Sequence, residues 1–135
     1  MSAKETYNQL MNDAEIIALA TETTAGHTPN VRFVFFMHYA DQPNTLYFGT
    51  AGSAEKVAEL TANPTISFET APVNFQTVRV TGAHCEQVSD RSTFFKAMDA
   101  KYPSFSRFTP EDRENMNVYA ATFNEALVGE EKLSF

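Results

Sequence analysis

Thr50, Ser53 and Lys56 fall at a predicted strand end, a tight turn and the first turn of a helix. Unpaired backbone N–H groups and the helix dipole favour an anion at such a place, so this spacing can hold a phosphate. Ser53 reads as the N-cap, yet Lys56 stands where a capping box wants Glu. A cation in the first helical turn opposes the dipole, and a bound anion would offset it. The plain alternative is a solvated lysine on an exposed face. Arg32 is the second unusual cation. Alternation along the strand that begins at Val31 puts it on one face with Val34, Phe36 and His38, opposite Val31, Phe33, Phe35 and Met37. An arginine among such neighbours needs a partner, either a carboxylate such as Glu69 or Glu86 or a ligand phosphate held bidentately. Arg79, sharing a face with Thr77 and Thr81, poses the same question with weaker support.

Other chemistry has less to stand on. His84 and Cys85 are adjacent on a strand and point to opposite faces, so they cannot readily share a metal, and no metal site is expected. His27 sits in a turn and His38 near a strand end, where a histidine is more often solvated or hydrogen-bonded than a ligand. No serine lies in a nucleophile elbow, and GTAGS is neither a dinucleotide fingerprint nor a Walker loop. The acidic pairs Glu111-Asp112 and Glu130-Glu131 read as solvated faces. No catalytic side chain is assigned.

The elements that must position these residues belong to a chain of 135 residues, expected to form one domain over residues 1–135. Hydrophobic residues make up 43%, enough for a core without staples. Ten Lys and Arg against 17 Asp and Glu give a net charge of -7, the opposite of what phosphate-tracking nucleic-acid proteins show. No apolar run approaches the roughly 18 residues that cross a bilayer. The N-terminus is too polar for a signal-peptide core, so a soluble, cytoplasmic protein is expected. Cys85 is the sole cysteine, which suits a reducing compartment.

Ser2 and Glu5 mark a capped first helix ending near Asp13. Strands are predicted at Glu15–Thr23, Val31–Tyr39, Thr45–Thr50, Thr65–Thr70, Gln76–Val88 and Asn117–Val128. A helix from about Ser53 to Leu60 ends before Asn63-Pro64, and a second, from Ser89, is stopped by Pro103. A further helical turn is expected near Pro110. Gly82 inside the fifth strand predicts a bulge or a close backbone approach. Six antiparallel strands with marginal helices point to a small barrel, which removes exposed strand edges.

The runs VRFVFFM, LYFGTAGSAEKVAELTANPTISF and VRVTGA resemble the pyridoxamine 5'-phosphate oxidase-like, FMN-binding split-barrel flavoproteins, especially short general-stress-protein-type members. The resemblance spans about Glu15 to Val88. It implies a six-stranded antiparallel split β-barrel of Greek-key type, FMN as cofactor, and Arg32 and Lys56 holding its phosphate with help from Thr50 and Ser53. It also implies that the segment from Arg32 to Met37, including Phe33, Val34 and Phe35, lines the isoalloxazine, with Gly49 and Thr77 nearby. A homodimer with the flavin between subunits and a small-molecule redox substrate, with His38, Tyr47 or Tyr102 as conceivable contacts, completes the expectation. Two departures bear on the reaction: Glu55 replaces a second cation before the lysine, and the oxidase's C-terminal Arg-Pro and Trp-Gly-rich segment is missing. The family also holds deazaflavin and haem binders and members without turnover. An FMN oxidoreductase is therefore the leading expectation, and a non-catalytic flavin-binding stress protein its alternative.

Overall fold

The computed structural model describes all 135 residues. Helix α1 (Ala3–Asp13) starts under Ser2, whose hydroxyl accepts from the Glu5 amide, and buries Tyr7, Leu10 and Met11. Strands β1 (Ile16–Glu22), β2 (Pro29–Phe35), β3 (Met37–His38) and β4 (Thr45–Ala51) follow. Next come α2 (Glu55–Ala62), β5 (Thr65–Thr70) and β6 (Val78–Val88). Helix α3 (Ser92–Lys101), a 3-10 helix (Pro103–Arg107) and α4 (Pro110–Glu114) then lead to β7 (Met116–Thr122), β8 (Glu125–Val128) and β9 (Glu131–Ser134).

All strand pairings are antiparallel, in the order β2-β1-β5-β6-β7-β4-β3, with β8 on β6 and β9 on β8. The two ends of that sheet, β2 and β3, are one run of chain interrupted at Phe36. Up to Phe35 the run pairs with β1, and from Met37 it pairs with β4. The sheet thus curls into a barrel that is closed on one side by Phe36 and left split between β2 and the upper part of β4.

Nine strands replace the six expected. The run from Val31 to Tyr39 breaks because no single straight strand can serve two edges, and Phe36 at the break is fully buried. The closing strand from Asn117 to Val128 breaks after Thr122, where Phe123 and Asn124 turn the chain toward β6, and the polar β9 pairs only with β8. Gly82 does form the expected bulge: Ile66 faces Ala83 and Ser67 faces Thr81, leaving Gly82 as the extra residue at φ +78.

Twenty-one buried residues, among them Tyr7, Ile17, Leu19, Phe36, Phe48, Val78 and Val80, fill the barrel. A second cluster of Phe94, Met98, Tyr102, Phe105, Met116 and Val118 packs α3 and the 3-10 helix against β4 and β7. Tyr102 ties that layer to the barrel closure, its hydroxyl lying 2.8 Å from the Phe36 carbonyl and 2.7 Å from that of Glu15. No helix is long and apolar enough to cross a membrane.

Candidate functional site

Strand β2 is hydrogen-bonded along one side to β1 and has no strand on the other. Alternation along it separates two surfaces. Asn30, Arg32 and Val34 turn inward, opposite Thr21, Leu19 and Ile17 of β1, and Val31, Phe33 and Phe35 turn outward. The outward three are exposed by 66%, 71% and 42%, an unusual display for large apolar groups. Their pairing continues the patch through Ala20, Ala18 and Ile16 and then onto polar Ser67 and Glu69.

Across the split, Gly49 of β4 faces Val34 and Phe35 in an apolar slot of about 140 Å³, walled by Phe94, Phe105 and Met116. A Cβ on residue 49 would lie 2.8 Å from the Met116 sulfur and 3.1 Å from the Phe94 ring, so glycine keeps the slot open. Phe108 and Met116 also border a wider cleft of about 460 Å³, whose other lining includes Ala51, Gly52, Ser53 and Asp112. Slot and cleft share Phe108 and Met116 as lining, and the cleft reaches the loop before α2.

Ser53 is not the N-cap. Ala54 occupies that position, no side chain caps α2, and Ser53 is exposed in the turn beside the cleft. The cap shifts because the 51–54 turn closes with the Ala54 amide on the Ala51 carbonyl, one residue later than the Ser-x-x-Lys spacing suggests. Glu55 then opens the helix, its charge suited to the dipole, and Lys56 follows within the first turn. Lys56 is partly buried and forms no salt bridge. Burial, and then the charge of Arg32, lower its ammonium pKa, while Glu59 works the other way. Lys56 stands three residues before Glu59 on α2, the carboxylate that Arg32 reaches from β2.

Arg32 has a carboxylate partner, but it is Glu59, not Glu69 or Glu86. Its guanidinium lies 2.9 Å from Glu59, donates to the Thr21 hydroxyl at 2.7 Å and reaches the Leu19 carbonyl at 3.4 Å. Both alternatives fail for geometric reasons: Glu69 is on the outward face, where it accepts from Thr77, and Glu86 is near His84 on β6. Glu59 is 2% exposed. The Thr21 hydroxyl at 2.6 Å, the Asn30 amide at 3.2 Å and Arg32 hold its carboxyl below the ordinary range. The same Asn30 amide donates to Glu55 at 2.7 Å. Thr50 is buried on the inward face of β4 near α2, whereas Thr77 lies on the outer face before β6, three strands from β2.

Glu59, Thr21 and Asn30 are absent from the sequence-derived site. One signal pointed to Glu59: it follows Lys56 by three residues and so shares its helix face. His38 bonds through Nε2 to the Pro43 carbonyl at 3.0 Å, away from the slot residues.

A sequence profile described as pyridoxamine 5'-phosphate oxidase-like matches residues 10–130. The chain belongs to the pyridoxamine 5'-phosphate oxidase-like family. Sequence comparison with individual curated proteins finds no match. Among solved structures, General Stress Protein 26 from Bacillus anthracis superposes with a TM-score of 0.81 at 19% identity, covering 100% of both chains. An F420 reductase superposes at 0.70 with 20% identity over 86% of this chain and 91% of its own. A heme binding protein from Mycobacterium smegmatis superposes at 0.75 with 17% identity over 99% of this chain and 58% of its own. At these identities the likeness is one of fold, the split barrel.

Proposed function

We propose that this pyridoxamine 5'-phosphate oxidase-like protein is an FMN-binding flavoprotein acting as an oxidoreductase on a small molecule, with the flavin at the interface of a homodimer. The observation that carries this reading is Lys56 in the uncapped first turn of α2, without a salt bridge and one turn before the Glu59 that holds Arg32, together with the apolar slot between β2 and β4. The chemistry present fits such a group. The free edge of β2 offers main-chain donors and acceptors of Phe33 and Phe35 to a flat heteroaromatic ring, while the main-chain groups of Val34 face β1. Gly49 keeps the slot clear, and Phe94, Phe105 and Met116 exclude water from it. Lys56, the first-turn amides of α2, and the hydroxyls of Thr50 and Ser53 supply a phosphate's partners. When bound, the flavin would supply the electron or hydride transfer, and the chain would bind and orient it.

The outward patch of Val31, Phe33 and Phe35 supports self-association, since a second copy is the simplest cover for three neighbouring apolar side chains on an edge strand. Phe33→Lys is then expected to yield monomers by light scattering.

The direct test is an absorbance spectrum of the purified protein before and after adding FMN and removing the excess. Retained flavin bands support the reading, and a Soret band redirects it to haem. A protein that retains no flavin overturns it. With FMN retained, Lys56→Ala is expected to weaken affinity by about 1–3 kcal/mol, the scale of a charge-assisted hydrogen bond. Reduction of the bound flavin by NADH or NADPH, followed by reoxidation with an added acceptor, separates an enzyme from a flavin-sequestering protein.

A further inference from the structure

We propose that Glu59 is the specificity-determining residue of the anion cradle: it holds Arg32 as an internal counter-ion and so weakens selection for a phosphorylated ligand over its dephosphorylated form. The inference rests on the FMN reading above and adds to it a residue outside the expected site.

Lys56 stands one turn before Glu59 on α2 and Arg32 reaches Glu59 from β2, so both cations border the same carboxylate, and two cations on one side of a cradle would draw a phosphate. Glu59 intervenes. Its Oε1 takes the Arg32 guanidinium at 2.9 Å and the Thr21 hydroxyl at 2.6 Å, and its Oε2 takes the Asn30 amide at 3.2 Å. The side chain of Glu59 is 3% exposed against 23% for that of Arg32, so the carboxylate is the deeper member. Glu55 adds a second negative charge, tethered by the same Asn30 amide. Arg32 and Lys56 are thus balanced in sign by Glu59 and Glu55, and a phosphate arriving at Lys56 meets a cradle without net positive charge. A phosphate seeking Arg32 must compete with a carboxylate already held by three donors in a site shielded from water, where like-charge repulsion is strongest.

The test titrates FMN and riboflavin, which differ by the phosphate, against wild type, Glu59→Gln and Arg32→Gln/Glu59→Gln, following flavin fluorescence, with circular dichroism to confirm folding. Glutamine keeps an oxygen for Thr21 and Arg32 while removing the charge. The expected result is FMN bound about tenfold or more tighter by Glu59→Gln, with riboflavin changed by less than about threefold, because only the phosphate senses the charge. The double variant is expected within about threefold of wild type, since the two opposite charges leave together. A folded Glu59→Gln with unchanged or weaker FMN binding overturns the proposal, as does a double variant that binds as tightly as the single. If Glu59→Gln fails to fold, the double variant decides: FMN affinity near wild type supports the proposal, and a loss of about tenfold or more overturns it. If no variant binds either flavin, the FMN reading fails on its own, and the assignment of Glu59 is judged with inorganic phosphate. A larger phosphate-induced rise in melting temperature for Glu59→Gln than for wild type, or for the double variant a rise equal to that of wild type if the single does not fold, upholds it. Any other pattern of phosphate shifts overturns it.

Discussion

Replacing Arg32 by alanine leaves the Glu59 carboxylate buried without its counter-charge. Removing one member of a buried ion pair costs about 3–5 kcal/mol, because the remaining charge stays desolvated. Here Thr21 and Asn30 still donate to Glu59 and the arginine side chain is 23% exposed, which places the loss at the low end, about 3 kcal/mol. For a chain of this length that is a fall in melting temperature of roughly 9 °C. Arg32→Ala/Glu59→Gln no longer buries an unpaired anion and is expected to recover at least half of the deficit. Acidity gives an independent check. In the wild type the Glu59 carboxyl lies below its ordinary value of 4.5, so its stabilisation is present above that pH and is lost as pH falls through the folded value. Without Arg32 the folded value rises, and protonation relieves the buried charge. The gap between wild type and Arg32→Ala should therefore be widest near neutrality and shrink on acidification. Circular dichroism melts measure both effects. A deficit below about 1 kcal/mol, or a double variant no more stable than the single, would refute the claim that Glu59 depends on Arg32.

Three further outcomes follow from the packing. Lys101 sits 4.3 Å above the Phe36 ring and donates to the Ala14 carbonyl at 3.0 Å, and burial brings its pKa down to about 8 against the partial opposition of Glu15 and Asp13. Its folded value lies below the unfolded 10.5, so the unfolded chain binds the extra proton between them and stability rises with pH across that window; melts of Lys101→Met should lack that rise. Gly49→Ala drives a methyl into Met116 and Phe94, and is expected to cost about 1–2 kcal/mol in urea unfolding and to weaken riboflavin as much as FMN. Tyr102→Phe keeps the ring and deletes the hydroxyl at the Phe36 carbonyl, for an expected loss of about 1–1.5 kcal/mol in the same assay.

Much of the barrel is legible locally. Ser2 over Glu5, the 45–51 strand, the stop at Asn63-Pro64 and the Gly82 bulge each depend on residues within a few positions of one another, and each is found where its signal stands. Phe36 carries no such signal. It lies in the uniformly apolar run VRFVFFM, and what interrupts the strand is the exchange of β1 for β4 as partner. The candidate site divides in the same way. The two cations and the small residues of the loop were readable from type and spacing, whereas the Arg32–Glu59 pair joins positions on β2 and α2 that meet only once the helix packs over β1. The N-cap moved from Ser53 to Ala54 because turn closure outweighed one side-chain hydrogen bond.

The junction at Phe36 makes the width of the split a matter of chain length. Both ends of the sheet belong to the same run, so peptide bonds set their distance, and the adjoining ladders contribute nothing across the gap. Side chains alternate with period two, so one residue inserted beside Phe36 would reverse the facing of either β2 or β3 against the other and pull Phe36 from beneath Lys101 and Tyr102. The same insertion in the turn at Asp41–Asn44 would alter neither face and would fall on the bonds that Tyr7 and His38 give to the Pro43 carbonyl and that Asn44 shares with Phe123. A one-residue length change thus reverses a strand face at the junction, whereas in the turn, five positions away, it disturbs local hydrogen bonds and leaves both faces as they are.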